Sequence, residues 1–263
     1  MFRQHMRTVE LWLACLAWGV VQSAQATPTN DLVAAVSLYQ EAHRAWQPDL
    51  FADAVKLLNR VKPSSREERS ALHYWFGVIE FHRMLCLRSG DSPGNQSDEA
   101  TSAAAAAVDN LRQLLSLEPD HAEAHALLAT LYGIQIQESP LRALRLGRAL
   151  LRHLDAARTA GDNPRVHYLL GMARLRRAQS AADLTAARDT LLSAHQLFVR
   201  EAQSPPRPLE PRWGHPDCLA FLAEAEEKLG NLGAATDACR EALRLHTNHN
   251  VARLILSRIA TTQ

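Results

Sequence analysis

The chain has 263 residues, of which 29 are basic and 28 acidic, giving a formal net charge of +1. That balance lacks the basic excess that a nucleic-acid-binding face carries, so nucleic acid is not expected as a partner. Gly (11), Pro (12) and aromatic residues (6%) are sparse beside abundant Ala and Leu, a composition that favours helix over strand.

Residues 1–26 read as a cleavable export signal. Arg3 and Arg7 supply a positive start, Leu11 to Val21 an apolar run too short to cross a bilayer, and Ala24-Gln25-Ala26 the small-x-small pattern of a cleavage site. Cleavage after Ala26 is expected. It places the mature chain, beginning at Thr27, in the periplasm or outside the cell. Losing two arginines and one glutamate brings its formal charge to zero. No later run reaches the roughly 18 apolar residues a membrane span needs. Cys86, Cys218 and Cys239 remain, and an odd number excludes complete pairing. Cys218 and Cys239 either form a disulfide or act as small buried apolar residues.

The rest of the chain, 27–263, alternates amphipathic segments with short breakers. Asp31 to Trp46 and Leu50 to Val61 form a first, degenerate helical pair. Ser70 opens a second unit, with His73, Phe76 and Gly77 on one helix and Ala107, Leu111 and Leu115 on the next. A polar loop is expected from Arg88 to Ser102. Ala122 opens a third unit with His125, Leu128, Ala129 and Tyr132, followed by Ala149, His153 and Ala156. Pro164 opens a fourth with His167, Leu170 and Gly171, and a Pro-rich loop from Ser204 to Gly214 closes it. The clearest unit is Pro216 to His249, 34 residues long. Leu219, Leu222 and Ala223 line its first helix, and Ala235, Cys239, Ala242 and Leu243 its second. Asn250 to Ala260 then reads as a solitary closing helix with Val251, Leu254, Ile255 and Ile259 on one face.

His121-Ala-Glu123-Ala-His125 invites a metalloprotease reading, and the spacing rejects it. A zincin helix has His-Glu-x-x-His, with the glutamate directly after the first histidine. Here Glu123 lies two residues on, about 200° around a helix, and Pro119 sets His121 at or before the helix start. His125 instead takes the same packed position as His73 and His167 in their units. His246 and His249 read as solvated turn residues, and the carboxylates as scattered over solvated helix faces. No phosphate-binding loop, nucleophile elbow or C-x-x-C is present, so catalytic residues, metal and cofactor are all expected to be absent.

The 34-residue unit, with small residues at Ala223, Ala235 and Ala242 where helices approach closely, resembles the tetratricopeptide repeat (TPR). The resemblance extends over nearly all of 27–263. It implies an all-α helical-hairpin solenoid of about five helix pairs plus a closing helix. It further implies a concave groove that binds a protein or peptide. Residues matching the family's groove positions are Tyr74, Val78 and His82, then Arg165, Tyr168, Met172 and Arg176, then Asp217, Glu224 and Lys228. Arg165, Tyr168, Met172 and Arg176 are spaced by three, four and four, so they are expected to form one exposed stripe opposite His167, Leu170 and Gly171. The expected function is that of a non-catalytic periplasmic scaffold or adaptor. The alternatives are a transport-accessory or small-ligand-binding repeat protein and, further off, a metal-dependent enzyme.

Overall fold

A computed structural model describes residues 30–89 and 95–262, so the expected export signal lies outside the described residues. They contain no strand. The α-helices run in the order α1 (Asn30–Ala45), α2 (Pro48–Leu58), α3 (Arg66–Arg88), α4 (Asn95–Leu117), α5 (Ala122–Glu138), α6 (Ala143–Ala157), α7 (Pro164–Arg177), α8 (Ala181–Ala202), α9 (His215–Lys228), α10 (Leu232–Leu245) and α11 (Asn250–Thr262). Single 3-10 turns, Pro140–Arg142 and Arg158–Ala160, flank α6.

Local chemistry sets the helix starts. Ser65 accepts a hydrogen bond from the Glu68 amide and caps α3. Asn163 accepts from the amides of Arg165 and Val166, with Pro164 in the first turn of α7. Ser180 and Asp183 form a reciprocal capping box at the start of α8. His121 is the N-cap of α5, accepting from the Ala124 amide, so it precedes the helix as Pro119 requires. The expected loop from Arg88 to Ser102 is shorter than its polarity suggested: Asn95 to Ser102 already belong to α4. Five alanines, Ala103 to Ala107, follow within that helix, and their propensity extends it back into the polar stretch.

The helices pack in pairs, α1 with α2, α3 with α4, α5 with α6, α7 with α8 and α9 with α10. Each odd-numbered helix also touches the next odd-numbered one, which builds an inner layer backed by the even-numbered helices. The small-residue positions do what the spacing demands. Ala223, Ala235 and Ala242 are completely buried. A Cβ on Gly77 would lie 2.6 Å from Leu111 Cδ2 of α4, and one on Gly171 would lie 2.8 Å from Leu191 Cγ of α8. The histidine slots repeat as well. His73 Nδ1 donates to Asn110 Oδ1 (3.0 Å), His153 Nδ1 donates to His125 Nδ1 (2.7 Å), and Ser193 Oγ donates to His167 Nδ1 (3.4 Å). In three successive pairs, therefore, the same histidine ties the first helix to the second.

One detail differs from the sequence expectation, and one alternative it left open is decided. On α11 the buried stripe is Ala252, Ile255 and Ile259, whereas Val251 and Leu254 face outward. Cys218 and Cys239 do not pair; both are buried free thiols, and burial raises both thiol pKa values, that of Cys239 to about 11. The packing of the third pair is irregular. α2 packs on α3, α4 on α5, α8 on α9 and α10 on α11, but α6 packs on α5 and its own flanking turns without comparable contact to α7.

Candidate functional site

The inner layer gathers the residues assigned to the groove, but it does not leave them all exposed. Arg165 is 5% exposed and Tyr168 4%. The expected exposed stripe is thus corrected at its first two positions, and only Met172 and Arg176 keep contact with solvent. Tyr74, Val78 and His82 are buried as well. The cause is the chain's own polar groups, which close over one another across the inner layer.

Glu123 of α5 is the centre of this closure. Its carboxylate accepts from Arg165 Nε (2.8 Å), from Asn163 Nδ2 (2.7 Å) and from the Tyr74 hydroxyl. Trp213 Nε1 donates to the Tyr74 oxygen at 2.9 Å. The guanidinium of Arg165 turns its remaining nitrogens to Glu201, at 2.7 and 3.1 Å. Burial alone would push the Glu123 carboxyl up. The Arg165 charge and the three hydrogen bonds outweigh that and hold it below its usual range. This fully satisfied network links α3, α5, α7, α8 and the loop before α9.

A second polar cluster joins the two ends of the stack. His246 Nε2, at the end of α10, donates to the Arg44 carbonyl of α1 at 2.8 Å. Asp217 of α9 lies 3.3 Å from His249 Nε2 and 3.5 Å from His43 Nε2. His246 and His249 are therefore buried connectors, not solvated turn residues. Their burial was invisible in the sequence because their partners lie about 200 and 30 residues away. Burial opposes the charge of Asp217, yet the hydrogen bond from His249 and the neighbouring His43 imidazole hold its carboxyl well below the usual range. No metal-ligand cluster occurs among the described residues.

No protein-family model matches the chain, and no curated protein matches it.

One of the cavities that remain accessible, of about 370 Å³, lies beside Met172 and Arg176. Its walls are apolar and come from four inner helices and their neighbours: Phe81, Ile134, Leu150, Tyr168, Met172 and Phe221. Trp46 forms one edge. Its backbone sits at φ 53°, a left-handed conformation costing a bulky residue roughly 1–2 kcal/mol, and its indole donates to Ser89 Oγ at 2.8 Å. Arg176 and Arg177 lie on one side, with Asp217 and His249 on another. The Arg176 guanidinium stacks over Phe221 at 5.1 Å and pairs with Glu224 at 2.7 Å, which in turn lies 3.9 Å from Lys228. Arg177 is exposed and has no ion-pair partner among the described residues. Sequence reasoning named Tyr168, Met172 and Arg176, and it missed Trp46, Phe81, Ile134, Leu150 and Phe221. Trp46 follows α1 and the others lie on separate helices, so only the tertiary arrangement brings them together.

The polar interior has a consequence for acid stability. Burial, then the neighbouring His43, pushes His82 down to about 3 from an ordinary 6.5. Burial likewise pushes His153 and His215 down to about 4. Between those values and 6.5 the unfolded chain binds the protons that the native chain refuses, so stability falls as pH falls. For His82, which is fully buried, the slope is about 1.4 kcal/mol per pH unit. Urea unfolding at pH 5.5 should therefore show stability lower than at pH 7.5 by about 1 kcal/mol or more. A His82→Leu variant should show a shallower dependence. Equal stability at the two pH values would mean that His82 is not held neutral.

Proposed function

We propose that this is an exported, non-catalytic TPR-like scaffold whose inner cavity takes an apolar anchor from a partner protein or peptide. The observation that carries the reading is the combination at one place of an apolar cavity of about 370 Å³ and an unpaired exposed arginine. Its volume falls at the lower end of the range of ligand pockets, which suits one or two side chains. Arg177 supplies a cation for a carboxylate beside the anchor, and Arg176 a second if it releases Glu224. A short acidic or C-terminal peptide segment with an apolar side chain combines both features. The repeating helix pairs, close-approach glycines and alanines, and equivalent histidine slots support the TPR-like part of this reading.

The burial of Tyr74, His82, Arg165 and Tyr168 narrows the binding surface from a long groove to this cavity. Tyr168→Ala is consequently a poor test, since its ring packs near Trp213 and Phe221 and its loss would destabilise the fold. Met172→Glu is the better one, because Met172 is half-buried at the cavity wall. Selection from a displayed library of short peptides should enrich sequences with an apolar residue beside a carboxylate. Their affinity should drop by more than roughly tenfold in Met172→Glu, a loss of about 1.4 kcal/mol, with helicity unchanged. Enrichment of no peptide, or peptides indifferent to Met172→Glu, would remove the reading. A second reading, a carrier for a small apolar ligand, is favoured by the same enclosure of the cavity by the joined ends of the stack. Native mass spectrometry showing a small apolar molecule retained by the wild type and lost from Met172→Glu would select it.

A further inference from the structure

The irregular third pair leaves a surface that the cavity does not use. Because α6 makes no comparable contact with α7, the flank that faces away from α5 has no helix over it. That flank and the turn before it carry Leu141, Leu144 and Leu151, which are 79%, 88% and 53% exposed. Leu141 and Leu144 are the two most exposed large apolar side chains among the described residues. Leu144 and Leu151 are seven apart and share one line along the helix. Beside them run Arg145, Arg148 and Arg152, spaced by three and four, all exposed. None of these three arginines has an ion-pair partner among the described residues. Arg142 pairs with Glu138 and Arg158 with Asp155. Residues 140–160 hold five arginines against one aspartate, in a chain whose formal net charge is only +1. Cationic charge is thus concentrated where leucines protrude, while Leu146, Leu154 and Ala157 on the opposite side of the helix anchor it to the fold.

We propose that the outward face of α6, with the Pro140–Arg142 turn, docks on an anionic phospholipid bilayer. Protruding leucines suit a fluid surface that closes around them. A rigid protein partner would need a matching socket for each. In this arrangement Leu141, Leu144 and Leu151 enter the interface between headgroups and acyl chains, and Arg145, Arg148 and Arg152 lie at the level of the lipid phosphates. The complementarity is of charge as well as polarity, and the helix lies in the plane of the surface, since no helix among the described residues is long and apolar enough to cross a membrane.

The test uses the chain from Thr27 onward, which contains every described helix and one connected apolar core, so that the apolar run of residues 11–21 does not contribute. Co-sedimentation is measured with vesicles of phosphatidylcholine alone and of phosphatidylcholine mixed with phosphatidylglycerol. Binding is expected to the anionic vesicles, to weaken as salt is raised, and to fall by roughly tenfold or more in Leu141→Glu/Leu144→Glu. Arg145→Gln/Arg148→Gln/Arg152→Gln should lose the preference for anionic lipid. These side chains are solvent-exposed, so the helicity and thermal midpoint of both variants should match the parent. No preference for the anionic vesicles would overturn the proposal and leave the face to an acidic protein. Binding unchanged by the leucine substitutions would also overturn it.

Discussion

Arg165→Ala should cost about 3–5 kcal/mol of folding stability, the range for removing one partner of a buried ion pair. Its guanidinium sits between Glu123 and Glu201, with 6% of the Arg165 and Glu123 side chains exposed. Truncation would leave the Glu123 carboxylate inside the stack with only the Tyr74 hydroxyl and the Asn163 amide as donors. Five segments would loosen together, because this one carboxylate and its partners connect them. Urea unfolding followed by far-ultraviolet circular dichroism measures the loss. The double variant Glu123→Gln/Arg165→Met should be less damaging than Arg165→Ala, since the deeply buried Glu123 charge is removed with its partner and only the more exposed Glu201 carboxylate is left unpaired. A loss below about 1 kcal/mol in Arg165→Ala would mean that water reaches the carboxylate and that the inner layer is wetter than the packing indicates.

Gly171→Leu should also destabilise, by about 1–3 kcal/mol through overpacking. A Cβ at this position would lie 2.8 and 2.9 Å from Leu191 Cγ and Cδ2, and 3.2 Å from the Leu191 backbone nitrogen. The leucine side chain can rotate away, but the backbone of α8 cannot without separating the pair. Gly147 on α6 is the internal control, because nothing lies within 4 Å of a Cβ placed there. Gly147→Ala should be neutral or stabilising by up to about 1 kcal/mol, the helix-propensity difference between the two residues. Thermal midpoints of the two variants should therefore move in opposite directions or only one should move. A wild-type midpoint for Gly171→Leu would show that α7 and α8 are not closely apposed.

The helical content was legible in the sequence for reasons that are local. Apolar residues recur at helical spacing, Pro164 and Asn163 fix a helix start, and glycines and prolines punctuate the connectors. The pairing was legible because small residues recur at close-approach positions, as at Gly171 and Ala223. The histidine reading also followed from position: Pro119 excludes His121 from the helix, and His125 falls on the packed side. Asn95 to Ser102 are helical although their polarity reads as loop, because the alanine run that follows them favours helix. Of the stripe expected to be exposed, Arg176 is exposed and Met172 half-buried, while Arg165 and Tyr168 are buried.

Within the paired helices the sequence by itself determined which side meets the partner, since a period of 3.6 residues and a few small side chains decide that within one unit. Whether the remaining side meets water was decided only by the tertiary structure. The curvature accumulated over successive pairs brings α1 to α9 and α10, so that His43 reaches Asp217 and His246 reaches Arg44. Once the ends meet, the inward side chains of α3, α5, α7 and α9 face one another. Glu123, Arg165 and Tyr74 then satisfy each other instead of a ligand, and the apolar residues beside them enclose a cavity. Curvature is a property of many small inter-helix angles summed along the stack, and no spacing within a single unit encodes that sum.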